Sequence, residues 1–301
     1  MNRQYWSAVL LLAFIMSATQ LFACDLCGYA VGLNPNFNQN QIGLRYRYRS
    51  FAGAHSHVSE GHGHTADLEN YNTIELTGRW CIGDKWRIQA FVPYNINRSF
   101  SHDEIAEEEL GLGDFTVMGM YQLWQRADTG SNKVGHRLFA GLGLGMPTGR
   151  YRVKSLTDYS PLIMPGMGAW SGLVAANYLA RYKNWGLGAD FSYRYLTRNM
   201  FEYRLAPRTN GNLNLFYQLN KGQVSVLPYL GGYLEHANED RFGDISEVNT
   251  GGLAAFGNVG AEVYVSSFSV NFQAQIPVLQ NLNGEQGLNQ TRITTGINFS
   301  F

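Results

Sequence analysis

Four shortages bound this chain of 301 residues before any pattern in it is read. It holds only three cysteines and eight prolines, too few for a disulfide scaffold or for a proline-rich disordered segment. Charge is scarce as well: charged residues make up 15%, and 23 Lys plus Arg balance 23 Asp plus Glu. A neutral chain lacks the basic footprint that nucleic-acid binding requires, so that partner class is excluded. Beyond the N-terminal segment, no apolar run is long enough to cross a bilayer as a helix. What the chain has in quantity is glycine, 34 residues, and aromatic side chains, 14%. It is too apolar and too aromatic to be disordered.

The N-terminus reads as a targeting segment. Arg3 supplies a positive start, Trp6 to Ala18 an apolar stretch, and Leu21-Phe22-Ala23 a cleavage site before Cys24. The alternative, an N-terminal membrane anchor, needs a longer stretch and different flanks. The expected organisation is therefore a signal peptide over 1–23, a periplasmic segment or plug over 24–40, and one domain over 41–301.

That domain has a period of two. At its end Ile293, Thr295, Ile297, Phe299 and Phe301 alternate with Arg292, Thr294, Gly296, Asn298 and Ser300. At its start Ile42, Leu44, Tyr46 and Tyr48 alternate with Gly43, Arg45, Arg47 and Arg49. Alternation of this kind makes one face apolar and the other wet. About twelve strands follow, near 41–51, 70–82, 86–99, 112–126, 136–150, 169–183, 185–198, 208–219, 223–235, 252–265, 268–280 and 289–301. Each is about long enough to cross a bilayer when tilted. The odd-numbered connections are long and the even-numbered ones mostly short, as in Gly83-Asp84-Lys85 and Ser266-Ser267.

Outer-membrane barrels have this asymmetry, with long extracellular loops and short periplasmic turns. A soluble β-sandwich, the alternative, gives no reason for it. The sequence therefore predicts an all-β, transmembrane, antiparallel up-and-down barrel in the outer membrane of a Gram-negative bacterium, with both termini periplasmic. Closure removes the free edges of so long a sheet. Tyr46, Tyr48, Trp80, Trp86, Trp124, Trp170 and Trp185 fall near strand ends, where an aromatic girdle meets lipid. The aromatic C-terminus at Phe301 resembles the signal by which the barrel-assembly machinery takes up such chains.

On these registers the inward set includes Arg45, Arg47, Arg49, Glu75, Arg79, Arg87, Asp190, Arg194, Glu262 and Arg292. Strands one and twelve adjoin in a closed barrel, so Arg292 is expected to join the Arg45-Arg47-Arg49 row, with Glu75 and Arg79 facing it. A charged lining suits a water-filled conduit for small solutes. The alternative is that these charges pair into a network that plugs a narrow lumen, as in a structural or adhesion barrel.

Two further features bear chemistry. His55, His57, His62 and His64 cluster in the first outer loop, with Glu60 and Asp67 close by. Neutral imidazoles at alternate spacing suit zinc or copper. A polar loop that binds metal only incidentally is the alternative. His102, Asp103, Glu104, Glu107, Glu108 and Glu109 are expected in the next outer loop, as solvated charge. Cys24 and Cys27 form a Cys-x-x-Cys pair that suits a disulfide or a redox couple in an oxidising compartment. Gly28 stands where haem attachment would need His. No cofactor is otherwise expected. Arg208-Thr209-Asn210-Gly211 faintly resembles the catalytic region of a twelve-stranded outer-membrane phospholipase family, but no Ser nucleophile or His base occupies the needed positions. The chain is therefore not expected to be an enzyme.

Gly113-Asp114, the run Gly141 to Gly145 leading into Met146-Pro147-Thr148-Gly149, and Pro165-Gly166-Met167-Gly168 before Trp170-Ser171 form an ordered series. In that order they resemble the outer-membrane channel family named for the meta-cleavage pathway of phenol degradation. The resemblance covers chiefly 111–200. It implies a barrel that carries small, often hydrophobic, molecules, and it assigns no binding residue to this chain. The His-rich loop and the Cys24–Cys27 pair lie outside its pattern.

Overall fold

The computed structural model describes residues 39–53, 68–126, 133–151 and 163–301. The cysteine pair Cys24 and Cys27 and the four histidines His55, His57, His62 and His64 lie outside them. Twelve strands form the wall. They are β1 (Gln41–Ala52), β2 (Leu68–Ile82), β3 (Trp86–Ser101), β4 in two halves (Glu104–Leu112 and Phe115–Arg126), β5 (Gly135–Met146) and β6 (Ser171–Tyr182). There follow β7 (Trp185–Leu196), β8 (Arg208–Tyr217), β9 (Val224–Ala237), β10 (Gly252–Val265), β11 (Phe268–Leu282) and β12 (Arg292–Ser300).

Each strand pairs antiparallel with its sequence neighbour, and β12 returns to β1 with Gln41 opposite Ser300 and Tyr48 opposite Ile293. The sheet is therefore a closed barrel. Closure satisfies the backbone groups that an open edge would leave bare in lipid. The two ends meet at the short-turn rim, where the amide of Phe301 donates to the carbonyl of Asn40 at 3.0 Å.

The period-two pattern orients the side chains as expected. Ile42, Leu44, Ile74, Leu76, Val270, Phe272 and Ile297 are exposed on the outside, while their neighbours in sequence face inward. At the short-turn rim the outward aromatics pair across strands. Trp86 lies 4.7 Å from Tyr121, Trp185 4.9 Å from Tyr217, and Trp124 stacks on His136 at 4.9 Å. Such a belt, apolar in body and polar at one edge, suits the lipid–water boundary.

Two boundaries depart from the expectation. The run Glu104 to Glu109 is strand, not loop: β3 and β4 continue outward as one hairpin that turns at His102 and Asp103, both in left-handed conformation. Acidic residues hid the alternation there, because Glu107 and Glu109 occupy the inward side while Glu108 faces out to Arg98. Strand β5 ends at Met146 rather than near residue 150. Pro147 has no amide to donate to a ladder. The next residue, Thr148, closes the strand end by accepting the amide of Phe115 on its Oγ1 at 2.9 Å.

Candidate functional site

The interior of the barrel is divided lengthwise. On the side formed by β3 to β10 the inward side chains pack against one another. Phe91, Met118, Met120, Phe139, Leu173, Leu179, Phe216, Leu227 and Tyr264 make one apolar cluster toward the short-turn half, and Met118 and Leu227 are 0% exposed. Arg87 lays its guanidinium 3.7 Å above the Phe139 ring, which lets a cation sit within this apolar layer. A twelve-stranded barrel is narrow enough for side chains from one wall to fill much of its width.

On the side formed by β11, β12 and β1 most inward residues stay partly accessible, with Ser269, Arg292 and Ser300 buried among them. The accessible ones are polar: Asn271, Gln273 and Gln275 on β11, Thr294 and Asn298 on β12, and Arg45, Arg47 and Arg49 on β1. Arg45 and Arg47 keep 15% of their side-chain surface, whereas Glu75, which both of them contact, keeps 2%. The Nη2 of Arg47 donates to Glu75 at 3.0 Å, and Arg45 takes the other carboxylate oxygen. Two guanidiniums thus share one carboxylate along the accessible wall.

A ladder of polar side chains runs around the wall from β6 to β11. Asp190 accepts Asn177 at 2.7 Å and Asn212 at 3.1 Å. Asn258 reaches Asn212 at 2.7 Å and Asn214 at 3.2 Å, and Gln275 donates to Asn258 at 3.1 Å. A chain of mutually satisfied polar groups is what a buried position can tolerate without cost.

The mouth at the long-connection end is held by two buried aspartates. Asp114, at the break between the halves of β4, accepts the amide of Gly149 on Oδ1 and that of Met167 on Oδ2, both at 2.9 Å. Asn95 and Asn97 of β3 donate to the carbonyls of Pro165 and Ile163 at 2.7 and 2.9 Å. These contacts fold the two ends of the β5–β6 connection inward across the mouth, burying Ile163 and Met164. The close approach needs glycine: a Cβ on Gly149 would sit 2.7 Å from the Cα of Gly166. Opposite, Asp240 accepts the Tyr203 hydroxyl at 2.9 Å and the Ala206 amide at 2.7 Å, tying the β7–β8 connection to the β9–β10 connection.

None of the ten residues expected inside is exposed. Glu75, Arg79, Arg87, Arg194, Glu262 and Arg292 are buried, and Arg45, Arg47, Arg49 and Asp190 are half-buried. They do not form one site. Arg79, Arg87 and Glu262 lie toward the short-turn end, and Arg194 bonds Ser171 at 2.8 Å near the mouth. Arg292 does not join the row of β1: it pairs with Glu235 of β9, at 2.6 and 2.9 Å, and lies over the Phe256 ring. No group of three or more His, Cys, Asp or Glu side chains that could hold a metal occurs among the described residues.

Sequence reading missed the apolar filling. Its only trace is that β4 and β6 fail to alternate cleanly, as in Val117-Met118-Gly119-Met120 and Leu173-Val174-Ala175-Ala176, where both faces are apolar. It also missed Asp114 and Asp240 as fasteners, because a single aspartate beside glycine carries no partner in its own sequence.

The crystal structure of an outer membrane channel from Pseudomonas putida F1 superposes with a TM-score of 0.66 at 14% identity, over 90% of this chain and all of that one. The β-domain of the Bordetella autotransporter BrkA matches with a TM-score of 0.48 at 12% identity, over 88% of this chain and all of that one. The transport unit of the Escherichia coli autotransporter AIDA-I gives 0.47 at 10%, over 91% of this chain and 94% of that one. No curated protein matches the chain in sequence. The superposition on the Pseudomonas putida channel shows the fold to be that of an outer-membrane barrel. The family described as "Putative MetA-pathway of phenol degradation" matches residues 52–276, which include the Asp114 fastening and its glycines, and the chain belongs to that family.

Proposed function

We propose that the protein is a channel or transporter in the outer membrane of a Gram-negative bacterium, passing small solutes along the β11–β12–β1 side of its lumen. The observation that carries this reading is the lengthwise division of the interior. One wall is filled by apolar side chains, while the opposite wall keeps a polar, partly accessible face. A purely structural barrel has no reason to leave one wall wet. The likeness to the Pseudomonas putida channel supports the same reading.

Because Arg45 and Arg47 share the single carboxylate of Glu75, the accessible wall carries positive charge, and small anions are the favoured solutes. The mature barrel in a planar bilayer under a potassium chloride gradient tests this. Discrete openings with a reversal potential on the chloride side are expected, and replacing Arg45 and Arg47 by Glu should move that potential toward potassium. A membrane that stays sealed around verified folded barrel would overturn the proposal.

A further inference from the structure

The barrel wall is not closed by backbone pairing all the way to its outer rim. Strands β11 and β12 pair from Phe268 opposite Phe299 up to Gln275 opposite Arg292, and there the ladder stops. Above that point β11 continues through Leu282, paired only with β10 on its other side. The chain leading into β12 stays with β1 instead: Asn289 lies opposite Phe51, and the amide of Gln290 donates to the carbonyl of Ser50 at 2.9 Å. Residues 276–280 therefore face residues 289–291 across a seam with no β-ladder.

Pro277 and a bulge fix the seam in the sequence. Proline has no amide to offer a ladder on either side. The register slips between Ala255 and Phe256 of β10, leaving Val278 as the extra residue, and its side chain is 74% exposed. Bulges bend a strand and end its pairing.

Side chains bridge the gap. Gln280 accepts the Asn289 amide at 2.6 Å and donates to its carbonyl at 2.9 Å. Arg292 holds the Asn289 side chain and, from its other edge, the Glu235 carboxylate. Glu235, Arg292, Asn289 and Gln280 thus form a chain of contacts from β9 to β11 that closes the seam from within.

Apolar surface lies on both sides of this closure. Outside, Ile276 and Val278 continue the lipid-facing row of Val270 and Phe272. Inside, Tyr233, Ala254 and Phe256 form a buried cluster with Leu282 packed on it. A seam with apolar faces at both ends that is held by side-chain contacts, the Glu235–Arg292 ion pair among them, opens without breaking a sheet. We propose that it is a lateral passage through which small apolar molecules exchange between the lumen and the outer leaflet of the membrane. This rests on the channel reading only in needing an accessible lumen, not in needing ion conduction.

A reversible lock tests it. Continuing the register would set Ile276 opposite Thr291, so the double variant Ile276→Cys with Thr291→Cys places a thiol on each side of the seam, in a Cys81→Ser background so that no described native thiol competes. Formation of the cross-link is confirmed by the mass of the linked peptides. Uptake of N-phenyl-1-naphthylamine into intact Gram-negative cells making the barrel is then followed, alongside bilayer conductance of the same protein.

The reduced variant should take up the dye faster than cells without the barrel, oxidation should bring uptake down to that background, and dithiothreitol should restore it. Conductance should not differ between the oxidised and reduced forms. Dye uptake that ignores the cross-link, or is no faster than background in the reduced form, overturns the passage. A cross-link that lowers uptake and conductance together also overturns it, because both solutes would then share the axial route. A silent bilayer with uptake that still obeys the cross-link would sink the conducting channel and leave the lateral passage standing.

Discussion

Glu235 and Arg292 lie 57 residues apart in sequence, on β9 and β12, and meet in a two-pronged ion pair with both partners almost completely buried. The pair spans the two strands between them because the inward position of β10 nearby is the small Ala254. Its geometry, two parallel N–H donors on two carboxylate oxygens, is the strong arrangement for such ions.

Removing one partner strands the other. Glu235→Ala should lower stability by roughly 3–5 kcal/mol, since an uncompensated charge is left in a dry site. The double variant Glu235→Leu with Arg292→Met should recover most of that loss. Unfolding in denaturant, read by the shift between folded and unfolded bands on a gel, measures both. Equal stability of the single and double variants would show that charge burial is not the cause.

The Asp114 fastening predicts local loosening rather than global failure. Asp114→Ala removes the acceptor of two backbone amides and should cost about 1.5–3 kcal/mol for hydrogen bonds to a charged group. Hydrogen exchange should accelerate at the amides of Gly149 and Met167, which bond to that carboxylate. The β1–β2 ladder, remote from it, should keep its protection. Uniform acceleration through the barrel would argue against a local role.

Filling of the lumen by methionine is open to test by truncation. Met118 and Met120 face inward from β4 and are buried. Changing both to Ala should leave a cavity at about 2–5 kcal/mol each if the surroundings do not collapse. Because that cavity lies inside the barrel, single-channel conductance should rise. Val117→Ala, on the outer face of the same strand, serves as the control and should leave conductance unchanged.

Gly231 tests the crowding beside the polar ladder. A Cβ there would come 2.0 Å from the carbonyl oxygen of Leu213 and 2.2 Å from Oδ1 of Asn214. Gly231→Ala should therefore destabilise the barrel by about 1–3 kcal/mol, the usual cost of overpacking. Gly211→Ala on β8, whose Cβ would meet nothing within 4 Å, should be close to neutral. Thermal midpoints of the two purified barrels in detergent compare them directly.

The sequence by itself determined the wall. An alternation as regular as that of Arg292 to Phe301 places apolar side chains on one face whatever the strand pairs with, since successive residues of an extended chain point to opposite sides. Short turns such as Gly83-Asp84-Lys85 then dictate which strands neighbour each other. Strand count, the inward side of Arg45, Glu75 and Arg292, and the belt of Trp86 and Trp185 all follow from local periodicity.

Only the tertiary structure decided what the interior does. Whether Arg292 joins Arg47 or crosses to Glu235 depends on the stagger that closure imposes around the whole barrel, and no window of sequence contains it. The same is true of Asp114, whose partners Gly149 and Met167 are 35 and 53 residues away. The division of the lumen into a filled wall and an accessible one arises because the side chains of β3 to β10 meet across a closed ring. The seam between β11 and β12 was written locally, in Pro277, but only the closed barrel reveals that no other described strand pairs with β11 on that side.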